Sequence, residues 1–175
     1  MEPRYEDTVI EALENSYGEF PDRPGLAACL LETAKVIVED NLGDYYTELR
    51  GVKAGSLLEE LDDLSTETWF KGLVENSVAF IMLTRCGIDP MDYFSGEDFA
   101  HVYDFDTPET LSILGGAVSD IAEMPLREIA TTVLSLYRAE QRENRTFDGN
   151  SDRQYHGGRI NQKRSVEHGT QLQAE

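Results

Sequence analysis

The sequence predicts an all-α fold: a single helical bundle over residues 1–143, followed by a disordered polar tail over residues 144–175. Three observations predict it. Apolar residues recur at spacings of three and four through several long stretches, the period of a helix with one buried face. No stretch alternates polar and apolar residues far enough to make a convincing strand. Residues that start and stop helices bracket the periodic stretches at both ends.

The elements follow in order. Tyr5, Val9, Ile10 and Leu13 share one helical face, and the helix ends near Tyr17-Gly18. Pro21 to Gly25 is a break, after which Pro24 can open the next helix, because a first-turn proline loses no needed hydrogen bond. That helix carries Leu26, Cys29, Leu30, Ala34, Val36, Ile37 and Val38 and is expected to stop at Gly43. Short helices around Tyr45–Leu49 and Leu57–Leu61 flank a turn at Gly51–Gly55.

The strongest element runs from Ser65 to Cys86 and is expected at the centre of the core. Ser65 is its expected N-cap, Glu67 favours the dipole, and Gly87 closes it in the left-handed conformation. Its expected stripe is Phe70, Leu73, Val74, Ser77, Phe80, Ile81 and Thr84. Helical turns follow at Tyr93-Phe94 and Phe99–Tyr103. Thr107-Pro108-Glu109 is a second clear start: the threonine caps, proline takes the first position, and the glutamate complements the dipole. Leu111, Leu114, Val118, Ile121 and Ala122 continue it. Gly115-Gly116 costs about 1 kcal/mol per glycine against alanine in a helix interior, which suggests a close helix–helix crossing. Pro125 is expected to end or kink the helix before a stripe of Leu126, Ile129, Val133, Leu136 and Tyr137. After Glu140 apolar residues nearly vanish, too few to offset the entropy of ordering.

Composition bounds the function. The 175 residues hold 34 acids and 15 lysines plus arginines, a net charge of −19. Residues 141–175 hold five acids and six bases, which leaves 29 acids, nine bases and a net charge of −20 for residues 1–140. Such a surface repels phosphate backbones and anionic membranes at long range. Direct duplex binding is therefore not expected, since lysine and arginine drive it. The start, Met1-Glu2-Pro3-Arg4, shows no signal peptide, and the longest apolar run, Val78 to Leu83, is far shorter than the roughly 20 residues of a membrane span. A cytoplasmic location is expected. Cys29 and Cys86 sit in apolar helical runs and read as buried free thiols.

No constellation predicts a catalytic, cofactor-binding or metal site, and no independent enzyme activity is expected. His156 and His168 lie in the expected tail. His101 stands near Asp98 and Asp104 without the close set of three or four ligands that zinc requires. The alternative enzyme reading is metal-assisted hydrolysis by Asp98, His101, Asp104 and Asp106. Asp104 to Glu109 has the alternating acids of a calcium loop but lacks the glycine at its sixth position and the glutamate at its twelfth, so helix capping is the preferred reading. Glu59, Glu60, Asp62 and Asp63 read as a solvated charged face, because paired carboxylates do acid–base work only where burial separates their pKa values. Ser77 has no histidine in a plausible motif, Gly115-Gly116 lacks a phosphate-loop pattern, and Trp69-Phe70 reads as a core anchor.

Several stretches nonetheless carry a resemblance. They are Leu58 to Asp63, Asn76 to Phe80, Arg85 to Pro90, Tyr93-Phe94, Phe105 to Glu109, Leu114 to Ile121 and Leu126 to Ile129. Across roughly residues 55–140 the chain resembles a helical segment of the very large polyvalent proteins of integrative and conjugative elements in Gram-positive bacteria. There the segment adjoins helicase, DNA methyltransferase and antirestriction-like modules. The resemblance implies a non-catalytic interaction or structural module of a mobile-element DNA-processing protein. Its partners would be proteins or downstream DNA-processing modules, and no cofactor is implied. It carries over no site residue. The charge suggests a second possibility, an antirestriction protein that mimics DNA by displaying carboxylates at the roughly 3.4 Å phosphate spacing of one strand.

Overall fold

In the computed structural model the described residues are 1–20 and 25–157, with side chains described through Arg145. Among them the chain is all-α. The helices are α1 (Glu6–Tyr17), α2 (Leu26–Asn41), α3 (Gly43–Val52), α4 (Asp63–Cys86) and α5 (Pro108–Gly157). Single 3-10 turns occupy Pro3–Tyr5, Leu57–Glu60 and Pro90–Asp92, and a longer 3-10 stretch covers Gly96–Asp104. By contacts the chain divides into a compact unit, Met1–Val133, and a second unit, Leu134–Glu175. Residues 108–133 of α5 belong to the compact unit and residues 134–157 to the other. The tail expectation for residues 158–175 lies outside the described residues, as does the start expected at Pro24.

The core of the compact unit forms around α4, which packs most extensively on α2. Buried on α4 are Thr66, Phe70, Leu73, Val74, Val78, Ala79, Met82, Leu83 and Cys86. The expected stripe holds as far as Val74 and then turns. Ser77, Phe80 and Ile81 are only half-buried and Thr84 is exposed. The reason is that α4 is covered on more than one side. α2 takes one face, while Phe80 leaves that face to meet Phe94 and Phe99, with ring centroids 6.4 and 5.8 Å away. Both cysteines are buried thiols outside any disulfide.

Helix termini explain the remaining differences. α4 starts at Asp63 with Asp62, not Ser65, as its N-cap: the Asp62 carboxylate accepts the Ser65 N–H at 2.7 Å. Aspartate caps as well as serine, so the earlier of two competent residues extends the helix. Gly87 has φ +81° and ψ 23°, the left-handed cap expected. Gly43 does not stop α2. It opens α3, and Leu42 keeps right-handed helical angles between the two helices. Nor does Pro125 end α5, which continues through it. A proline removes one donor and crowds the preceding turn, and here the burial of Ile121, Ala122 and Ile129 on either side holds the helix together. Thr107 caps α5 as expected, its hydroxyl accepting the Thr110 N–H at 3.2 Å.

Gly115 and Gly116 do not mark a close crossing. A Cβ at either position would meet nothing within 4 Å. Their cost in helix propensity therefore has no packing return among the described residues. Gly115→Ala and Gly116→Ala are each expected to stabilise the protein by about 1 kcal/mol, read as a rise in Tm of about 2–4 °C.

Candidate functional site

The four residues of the hydrolytic alternative do not converge. His101 Nδ1 lies 3.1 Å from Asp104 Oδ2, and its ring stacks on Trp69 with centroids 3.8 Å apart. Asp98 turns away to complete a capping box, accepting the Ser95 N–H at 2.7 Å. Asp106 reaches across to the Leu57 N–H at 3.0 Å. Among the described residues no group of three or more histidine, cysteine, aspartate or glutamate side chains could hold a metal ion. Sequence proximity suggested one cluster; the 3-10 turns of Gly96–Asp104 and the bend after Asp104 point these side chains to different neighbours.

The acidic cluster at residues 59–63 is likewise divided among structural tasks. Glu59 accepts the Gly55 N–H at 2.7 Å, Asp62 caps α4, and Asp63 holds both Arg50 at 2.9 Å and Lys53 at 3.2 Å. Backbone hydrogen bonds from Ser65 and Ser95 hold the Asp62 and Asp98 carboxyls below the usual aspartate range. A depressed folded-state pKa contributes stability that is present above the unfolded value, about 3.9, and is lost as pH falls through the folded value. The midpoint of urea unfolding should therefore drop as pH is lowered below about 4, and Asp62→Asn together with Asp98→Asn should flatten that drop. Glu75 acts in the opposite sense, because burial raises its pKa and favours its neutral form.

Trp69-Phe70 is split between two roles. Phe70 is fully buried against Phe105, whereas Trp69 lies half-buried under His101. Ser77 is half-buried on α4, and Gly115-Gly116 sits inside α5.

Two surface features were not foreseen. The first is an apolar junction. The Asp106–Leu57 hydrogen bond joins the Leu57–Glu60 turn to the segment just before α5, and three large apolar side chains at or within a few residues of its two ends in sequence are exposed. Leu57 is 59%, Tyr103 80% and Leu111 53% exposed. Glu59, Glu60, Asp106 and Glu109, near them in sequence, are exposed as well. The second is an open groove of about 940 Å³ between the C-terminal end of α4 and α5, with an apolar wall that includes Ile81, Val118, Leu126 and Val133. Arg85 and Arg127 are on its rim. Arg127 pairs with Glu123. Among the described lysines and arginines of residues 1–133, Arg85 alone has no carboxylate partner; the others pair with Glu2, Glu32, Glu39, Asp63, Glu75 or Glu123. The periodicity of α5 marks its buried stripe, but a groove depends on the gap between two helices, which no single segment encodes.

No family model, curated protein or solved structure matches the chain. No helix of the described residues is long and apolar enough to cross a membrane.

Proposed function

We propose that the compact unit is a non-catalytic docking module of a DNA-processing assembly of the mobile-element type, and that it docks a basic protein. The observation that carries this reading is the exposure of Leu57, Tyr103 and Leu111 on the two segments that the Asp106–Leu57 hydrogen bond joins, with exposed acids near them in sequence. An exposed apolar cluster with a polar rim is the anatomy of a protein interface. The rim and the net charge of −20 on residues 1–140 select a basic partner and speed its encounter. Proteins that handle duplex DNA are basic at their binding faces, which agrees with the resemblance to helicase- and methyltransferase-associated segments. Three exposed side chains are a small anchor, so the contact is transient rather than permanent.

The test is a photo-crosslinking residue at Tyr103 in cells, followed by binding of the purified captured protein. The expected partner is a DNA-processing enzyme whose affinity falls steeply with salt. Leu57→Asp should weaken binding by about 2 kcal/mol, roughly 30-fold. Capture that survives Leu57→Asp and is indifferent to salt would remove this reading. A duplex oligonucleotide added to the complex tests the DNA-mimic alternative: a mimic is displaced by DNA, and a docking module is not. Neighbouring reading frames without mobile-element or DNA-processing genes would count against the assembly named here.

A further inference from the structure

The α4–α5 groove shares no lining residue with Leu57, Tyr103 and Leu111 and carries an inference of its own. Its wall includes Ile81, Val118, Leu126 and Val133, and its volume of about 940 Å³ falls in the range of small-molecule sites. Along α5 it extends from Gly115 to Val133, roughly 27 Å at about 1.5 Å per residue. Gly115 lines it and leaves open space where a side chain would stand. The rim carries Arg85, the one described lysine or arginine of residues 1–133 without a carboxylate partner, and the Met1 ammonium, which also lines the groove, is held by the Cys86 carbonyl.

That cation is out of keeping with its surroundings. In a unit where acids far outnumber bases, each other described lysine or arginine is already neutralised. A position in the last turn of α4 favours a cation by itself, but it does not account for an apolar channel beside that cation. We propose that the groove binds a free amphiphile with an alkyl body and a single carboxylate, the body lying on the apolar wall and the carboxylate pairing with the Arg85 guanidinium. The pairing is charge-assisted and suits the planar fork of arginine. Glu123, also on the groove, does not compete for Arg85, because Arg127 holds it. A membrane is a poor source of the same chemistry, since the net charge of the domain repels anionic bilayers.

The experiment uses the full chain and three probes of equal alkyl length: dodecanoate, dodecanol and dodecyltrimethylammonium. Calorimetry should show dodecanoate binding at one equivalent, at least tenfold tighter than the other two. Arg85→Gln should bring dodecanoate down to the level of dodecanol, while Arg85→Lys should keep most of the preference. Gly115→Leu fills the groove from an exposed helical position and should weaken binding of dodecanoate and dodecanol at least tenfold, with helicity by circular dichroism unchanged. Amide shifts on adding dodecanoate should fall on the facing parts of α4 and α5. The proposal is overturned if the cationic probe binds as well as the anionic one, if Arg85→Gln leaves dodecanoate affinity unchanged, or if Gly115→Leu retains it. Tighter binding to phosphatidylglycerol vesicles than to dodecanoate would likewise overturn the free-ligand assignment. None of these outcomes bears on the docking junction, whose variants are at Leu57 and Tyr103.

Discussion

Phe70→Ala is expected to cost about 3–5 kcal/mol, a major share of a total stability of about 5–15 kcal/mol. Phe70 lies on the central helix, fully buried, with its ring 5.9 Å from that of Phe105. Phe105 is itself buried at the bend that leads into α5. Truncation removes a large apolar surface and leaves a cavity against several elements at once, which close packing cannot easily collapse. Urea unfolding should show a lowered midpoint with an unchanged slope. Leu64→Ala is the control: Leu64 is 75% exposed on the same helix, and its loss should stay within about 0.5 kcal/mol.

Ile121→Ala should cost about 2–5 kcal/mol and should act on a different part of the structure. Ile121 is fully buried on the half of α5 that belongs to the compact unit. One residue earlier, Asp120 accepts the Tyr45 hydroxyl at 2.8 Å from an exposed position. Such an exposed hydrogen bond cannot replace buried apolar area. Hydrogen exchange should show protection lost first along Leu111–Val133, ahead of α2 and α4. Equal loss across all helices would mean that α5 is not a separable unit of local stability. Leu111→Ala, on the exposed side of the same helix, should leave the stability nearly unchanged.

These two residues also show where the sequence was legible. Phe70 and Ile121 each lie on an apolar stripe at helical spacing, and that spacing alone places them inside. Ser77 and Thr84 lie on an equally regular stripe and yet do not reach the core. A stripe argument assumes one buried face, whereas α4 is covered by α2 on one side and by the Phe94–Phe99 segment on another. The cap of α4 went to Asp62 for a related reason: Asp62 and Ser65 are both competent, and the choice depends on whether the intervening turn can form. Here Asp63 is tied to Arg50 on α3 and to Lys53 just after it, and the Tyr46 hydroxyl donates to the Asp63 carbonyl at 2.6 Å.

The sequence by itself determined the all-α class, the left-handed cap at Gly87, the threonine cap of α5, the burial of both thiols and the acidity of residues 1–140. Each follows from local backbone chemistry, from periodicity or from counting charges, and none needs a distant residue. Tertiary structure alone decided that Asp106 accepts the Leu57 N–H instead of joining His101 and Asp104, that Gly115 and Gly116 face open space among the described residues, and that the exposed Leu57 lies on a turn tied to the segment before α5. It also decided that Arg85 stands unpaired beside an apolar groove. Those facts belong to the relative placement of segments dozens of residues apart. Periodicity fixes which face of a helix turns inward, but the shape of the gap left between two helices is set by all the side chains that hold them apart.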